Sequence, residues 1–353
     1  MARVLFTVCG IGMGHAARSS VIIKELMKEH EVLVVSYGDG YNFLKEQFDV
    51  TQINWFRLIY DKDQYKPITT IFYNIPRAPF VFASNFLKLF KISEKFKPDI
   101  VVSDFDINGL YVAGLLNIPT ITISNMHLME YERLFLNINE KIDYYLTQRP
   151  VIKAFDSSNH TIVVSIVKPK AKSKNVYFFY PLLRQEILKA KPKDKGYFLV
   201  YSSETQLGGI IPILRKFPKQ KFVVRGKKLP DEKNISFKPM FSDKEFTRDL
   251  SNCSGVFCHG GLSLISEAVI LKKPVFVFTP KEFSERYYNG KLVEKLGFGL
   301  LEEKPSVQGI SSFISSLPKF KENLAKSKIT AENSKIVRKV KSLIKLELRG
   351  REK

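Results

Sequence analysis

Residues 256–299, VFCHGGLSLISEAVILKKPVFVFTPKEFSERYYNGKLVEKLGFG, hold side chains suited to gripping a phosphorylated compound. Val256–Cys258 reads as a short strand and Gly260-Gly261 as a turn. Leu264–Leu271 reads as a helix with Ser263 in an N-cap-like position, and Pro274–Phe278 as a second buried strand. A glycine turn entering a helix leaves backbone N–H groups unpaired, with the positive end of the helix dipole behind them, which is a place to hold phosphate. Glu267 lies one turn into that helix, within reach of whatever the phosphate carries, and Glu285, Arg286 and Asn289 cluster at the next helix start. An ordinary strand–turn–helix–strand unit with no ligand has the same local pattern.

A second set opens the chain. In GIGMGHAAR, 10–18, Gly12 and Gly14 let another molecule approach the backbone closely, and His15 faces it from the helix start. A histidine there is suited to general-base work near pH 7; a capping or packing role is the alternative. The acidic residue a dinucleotide fingerprint needs about 20 positions on is matched only by Asp39 in a GDG turn, so no NAD site is expected. A third set follows KPDIVVSDFD, 97–106, where a buried strand ends at Asp104. The D-x-D spacing of Asp104 and Asp106 resembles a metal-binding pair, but Asp106 is placed to cap the next helix, and no metal is expected. Strand ends line the crevice of an open α/β sheet, which makes Asp104, Asn125 and His127 candidates for the acceptor side; packing or capping would equally explain them.

The elements that must position these residues repeat a β-α-β pattern. RVLFTVC, 3–9, is a β-branched strand, followed by a glycine-rich turn, an amphipathic helix to about Lys28 and a strand at Glu31–Ser36, a Rossmann-like opening. A helix within 67–97 carries Phe82, Phe86, Leu89 and Phe90 at helical spacing among Arg77, Lys88, Lys91, Lys95 and Lys97. It is expected to face the core, or else to rest on an anionic membrane. Strands follow at Thr120–Ser124, 161–167 and 175–179. The lysine- and proline-rich LKAKPKDKG, 188–196, marks a boundary, giving domains 1–188 and 189–353. The second half then restarts with strand Tyr197–Tyr201, and the chain closes on a basic amphipathic helix, Ala331–Leu348.

Composition limits the partners. The chain has 353 residues, which suits two domains, and a formal charge of +21 that attracts polyanions: nucleic acid, anionic lipid or phosphorylated substrates. No nucleic-acid module or aromatic-basic signature accompanies the charge, so no nucleic acid is expected. No run of about 18 uncharged apolar residues occurs, so no membrane span is expected. The N-terminal MARVLFTVC has no cleavage-like site and reads as a first strand rather than a signal peptide. Cys9, Cys253 and Cys258 show no pairing pattern, which fits the cytoplasm, and the five histidines lack metal-ligand spacing.

Taken together, the motif order resembles GT-B glycosyltransferases, α/β proteins with two Rossmann-like domains facing across a cleft. GIGMGHAAR is similar to the turn of the peptidoglycan N-acetylglucosaminyltransferase family that makes lipid II. His259-Gly-Gly-Leu-Ser-Leu-Ile-Ser-Glu267 is similar to the H-x-G-x-x-S-x-x-E signature of UDP-glucuronosyl/glucosyltransferases, with its serine at 263 instead of 264. The resemblance implies a UDP-sugar donor. Glu267 would take the ribose hydroxyls, and His259 with the backbone of Gly260, Gly261, Leu262 and Ser263 the diphosphate. Ser203 would add a hydroxyl there, Met240 and Phe241 would meet the uracil, and Glu285 the sugar, with Asn289 beside it. Arg286 stands where Gln is usual, which leaves the sugar open.

The mechanism then expected is an inverting, metal-independent transfer with no cofactor beyond the donor, using His15 or secondarily Asp104 as base. The acceptor is expected to be lipid or lipid-linked, approached peripherally from the cytoplasm. A UDP-sugar 2-epimerase of the same fold and a non-catalytic binder of anionic ligands are the alternatives.

Overall fold

A computed structural model describes the chain except residues 57, 58, 62, 63, 66, 133–135, 156, 157, 171, 172, 203, 228, 240–242, 282, 283, 352 and 353. Ser203, Met240 and Phe241 thus lie outside the described residues.

The β-branched runs form two parallel sheets. The first has seven strands among the described residues, in the order Val50–Gln52, Glu31–Ser36, Arg3–Val8, Ile100–Asp104, Thr120–Ser124, His160–Val164 and Val176–Phe179. The second has six: Ile235–Lys238, Lys221–Arg225, Tyr197–Tyr201, Gly255–Cys258, Val275–Phe278 and Gly299–Glu302. Strand order reverses beside the first strand of each sheet, between Arg3–Val8 and Ile100–Asp104 and between Tyr197–Tyr201 and Gly255–Cys258. A crevice opens at such a reversal because the flanking crossovers diverge to opposite faces. The glycine turns that follow Val8 and Cys258, and Asp104, sit at these two points, with Asn125 and Glu285 after the next strand of each sheet. The outer strands Val50–Gln52 and Gly299–Glu302 were not expected from the sequence; both are short and only partly buried, so little hydrophobic pattern marks them.

One expectation changes. The closing helix, Asn333–Arg351, was grouped with the second half, but Ile336, Val340 and Ile344 are buried with Val4, Phe6 and Ile22 against the first sheet. Its apolar stripe fits any apolar surface, and the chain after Lys326 leads it back to the first lobe, where Lys341 pairs with Glu29 and His160 with Glu347. The boundary stretch 188–196 packs on the second lobe. Lys273 donates to the carbonyls of Lys193 and Cys253, and Asp194 pairs with Lys321, so the second lobe holds it.

Helix Ala78–Phe96 covers part of the first sheet, and helix Pro67–Asn74 precedes it. Leu89 is buried there, but Phe82 is 43% exposed, and Phe72, Ile75, Phe80 and Leu87 are exposed too, so the core-facing stripe is narrower than its spacing suggests. The lobes share one run of buried side chains, from Met126, Leu128 and Tyr144 in the first to Leu264, Tyr288 and Leu292 in the second.

Candidate active site

The first wall is built by helix Gly14–Leu26 and the end of strand Ile100–Asp104. Residues three and four apart share a helix face, so His15, Arg18 and Ser19 point together at the strand end. All three reach Asp104, which is fully buried. His15 Nδ1 lies 2.8 Å from Oδ1, Arg18 Nε donates to Oδ2 at 2.8 Å, and Ser19 Oγ donates to Oδ2 at 2.6 Å. Arg18 Nη2 adds a contact to Oδ1. Burial alone would push this carboxyl up; the Arg18 charge and hydrogen bonds, with His15 behind them, outweigh it and hold it well below the usual carboxylate range.

Asp104 is therefore not an accessible base, which corrects its place as second candidate. A carboxylate only accepts, so in the tautomer that donates to Asp104 the proton sits on Nδ1 and Nε2 is an acceptor; Arg18 Nη2 lies 2.9 Å from the same Nδ1. The His15 side chain is 15% exposed and lines the cavity. Its ring stacks on Phe105 at 6.0 Å between centroids, and Phe105 stacks on Phe155 at 4.4 Å. Phe105 reaches that position with φ of 51°, a left-handed conformation unfavourable for a side chain with Cβ. Asp106 caps the next helix as expected, accepting from the Gly109 N–H at 3.0 Å.

The second wall is the turn from strand Gly255–Cys258 into helix Leu262–Ile270. Gly260 has φ of 89°, and a Cβ there would meet the Arg286 carbonyl oxygen at 2.5 Å. Gly261, not Ser263, is the N-cap residue; it offers no capping side chain and no acid follows in the first turn. Ser263 instead donates to the Gly14 carbonyl of the first lobe at 3.1 Å, because its Oγ faces the other lobe rather than its own helix. The first-turn N–H groups are left to whatever enters the cavity. Burial pushes the His259 ring down to about 3, with the Arg286 charge acting the same way, so it is neutral at physiological pH.

Several expected residues meet across the lobes. Asn125 Nδ2 donates to Glu285 Oε1 at 2.6 Å. Nearby, Tyr287 and Lys291 reach Glu140 at 3.1 and 3.2 Å. The cavity between the lobes is about 300 Å³, walled by Gly12, Gly14 and His15 from the first and by His259, Ser263, Glu267, Glu285 and Arg286 from the second. Besides Asp104 and Gly260, two expected residues among those described are not on this wall. Asn289 is buried and donates to the Gly260 carbonyl at 3.0 Å, bracing the turn instead of facing a sugar. His127 is buried under its strand end, outside the cavity lining.

Other cavity residues went unforeseen. Arg18 was readable in principle, three residues after His15 on one helix. Arg184 was not: its guanidinium grips Glu267, Nε to Oε1 and Nη2 to Oε2, both at 2.9 Å. Tyr201 and Phe246 form an edge-to-face aromatic pair beside it at 5.1 Å. Among the described residues no three His, Cys, Asp or Glu side chains gather as a metal site.

Comparison with known proteins supplies the context. The family model described as Glycosyl transferase family 1 matches residues 2–318. An uncharacterized glycosyltransferase of Methanosarcina acetivorans is 24% identical over 323 residues, covering 84% of each chain. One from Methanosarcina mazei is 24% identical over 326 residues, with the same coverage. Among solved structures, MurG of Acinetobacter baumannii superposes with a TM-score of 0.64 at 13% identity, covering 97% of this chain and 100% of its own. A UDP-glucosyltransferase of Polygonum tinctorium gives 0.66 at 14%, covering 98% of each. The glycosyltransferase VinC, solved with dTDP, gives 0.61 at 14%, covering 98% and 100%.

Proposed function

This chain belongs to glycosyl transferase family 1 and is a glycosyltransferase of GT-B type, and from that premise we propose that it performs a single-displacement, inverting transfer from a UDP-sugar to a hydroxyl acceptor without a divalent cation. One observation carries the reading: His15, backed by Asp104, faces the uncapped helix start at Gly261 and the carboxylate of Glu267 across a single cavity.

In this reading residues 1–188 bind the acceptor and residues from 189 bind the donor, with Asn333–Arg351 returning to brace the first domain. Glu267 accepts from the ribose hydroxyls, and the first-turn N–H groups and neutral His259 hold the diphosphate. Glu285, oriented by Asn125, accepts from sugar hydroxyls. His15 Nε2 takes the acceptor's proton as its oxygen attacks the anomeric carbon. The bond from that carbon to the diphosphate breaks on the opposite side, and the configuration inverts. Asp104 stabilises the imidazolium, and the helix start stabilises the charge growing on the leaving UDP. Two structural neighbours, a UDP-glucosyltransferase and an enzyme solved with dTDP, support a nucleoside-diphosphate donor.

The acceptor we propose is lipid or lipid-linked, met at an anionic membrane from the cytoplasmic side. No helix among the described residues is long and apolar enough to cross a membrane. Exposed Phe72, Ile75, Phe80 and Leu87 alternate with exposed Arg77, Lys88, Lys91 and Lys95, the mixture that binds apolar surface below and anionic headgroups above.

The test is incubation with a panel of UDP-sugars, with and without total lipid extract. UDP release that requires lipid and disappears in Glu267→Ala is expected. A new UDP-sugar formed without UDP release would mean epimerisation instead. Sedimentation with anionic but not neutral vesicles, lost in a Phe72→Ser/Phe80→Ser variant, checks the membrane surface.

A further inference from the structure

Arg18 lies against both His15 and the carboxylate behind it. Its Nη2 is 2.9 Å from His15 Nδ1, while Nε and Nη2 close a two-point fork on Asp104. Arg18 is 6% exposed and Asp104 fully buried, so their charges are screened far less than surface charges are. His15 and Arg18 stand three residues apart on helix Gly14–Leu26, whose turn fixes their separation.

We propose that Arg18 is a positioning residue that keeps His15 unprotonated, and so ready to accept a proton, by offsetting the charge of Asp104. The inference rests on the reading of His15 as the base. A buried carboxylate 2.8 Å from an imidazole favours the imidazolium, and an imidazolium cannot accept a proton. The diphosphate of the donor would add more negative charge to the same cavity. A fixed cation beside Nδ1 acts the other way, because protonating the ring sets a second cation against it. Asp104 still accepts from Nδ1 while it holds the fork, so the ring keeps its orientation although the charge behind it is balanced.

The other groups that face the cavity do not replace Arg18. Helix Ser284–Lys295 brings Glu285 with Arg286, and Glu267 comes with Arg184, an acid and a cation in each case. Burial pushes Cys9, Cys258 and Tyr201 up to about 12 and His259 down to about 3, so all four are neutral near pH 7. Asp106, beyond Phe105, is engaged in capping Gly109.

An NMR titration of the imidazole signals of the full chain tests this without any substrate, with His15 identified by the signal lost in His15→Gln. Arg18→Gln removes the charge and keeps a donor for Asp104; the His15 midpoint should move up by about one pH unit. Arg18→Lys keeps the charge and loses the fork, and its midpoint should move less than half as far. The double variant Arg18→Gln/Asp104→Asn strands neither charge, which guards against a single variant that fails to fold; its midpoint should lie within about half a pH unit of wild type. An unmoved or lowered midpoint in Arg18→Gln, an equal rise in Arg18→Lys, or a larger departure in the double variant overturns the proposal. UDP release from a UDP-sugar with total lipid extract separates it from the reading beneath it. A raised midpoint with full release in His15→Ala keeps the charge balance and sinks the base. An unmoved midpoint with release lost in His15→Ala sinks only the balance.

Discussion

Asn125 and Glu285, 160 residues apart and in different lobes, are joined by a 2.6 Å hydrogen bond from Nδ2 to Oε1. Asn125 Oδ1 is buried and has no hydrogen-bond partner among the described residues, so this acceptor is held at the cavity without being used. The two lobes, proposed as the acceptor and donor sides, thus meet at one point. Asn125→Ala should raise the donor KM by about tenfold, because Glu285 loses its orientation, while product inhibition by UDP stays unchanged. Steady-state kinetics with UDP as inhibitor measure both; a parallel rise in the UDP inhibition constant would place Asn125 elsewhere.

His15 and Asp104 should separate by their readouts. His15→Ala should lower kcat by about 10²–10⁴-fold with donor binding intact. Asp104→Asn strands the Arg18 charge in the interior and should also cost about 3–5 kcal/mol of stability, read by urea unfolding. The folded carboxyl is depressed below the unfolded value of about 3.9, so its contribution is complete above about pH 4 and disappears as pH falls through the depressed value. Asp104→Asn should therefore flatten the acid end of the stability profile.

Phe105 keeps the imidazole ring in place from a backbone conformation that only a packed surrounding sustains. Phe105→Leu should reduce kcat about tenfold with the donor KM unchanged, whereas Phe105→Tyr should retain most activity. Equal losses in both variants would mean that the stack has no part in turnover.

Gly260 has neither the dihedral nor the space for a side chain. Gly260→Ala forces the turn against the Arg286 carbonyl and should cost about 1–3 kcal/mol and abolish diphosphate binding, measured by thermal unfolding and calorimetry. A variant with wild-type UDP affinity would show that the turn is not the phosphate site.

His259 is half-buried in the cavity wall and held neutral, its folded value of about 3 lying below the unfolded 6.5. Between these values the unfolded chain binds the proton and the folded chain does not. The corresponding stability is intact above pH 6.5 and is lost as pH falls toward 3, at up to about 1.4 kcal/mol per pH unit. His259→Gln should remove that slope from a series of melting temperatures, and an unchanged slope would place the charge-sensitive group elsewhere.

What the sequence determined by itself is what short-range physics controls. The β-branched runs mark most strands, because a strand buried on both faces must be continuously apolar. The glycines at 12 and 260 mark turns, because few other residues tolerate those dihedrals. Asp106 capping Gly109 spans three residues and needs only local geometry. The amphipathic stripe of 333–351 was equally plain.

The tertiary structure alone decided which apolar surface that stripe covers, since Ile336 and Val340 carry no record of their partner. It alone joined His15 to Asp104 across 89 residues and Arg184 to Glu267 across 83. It also turned Ser263 from a cap into a bridge to Gly14. Parallel strands bring their carboxyl ends together whatever the separation in the chain. Which side chains then pair across two lobes depends on distances and burial that no local pattern encodes.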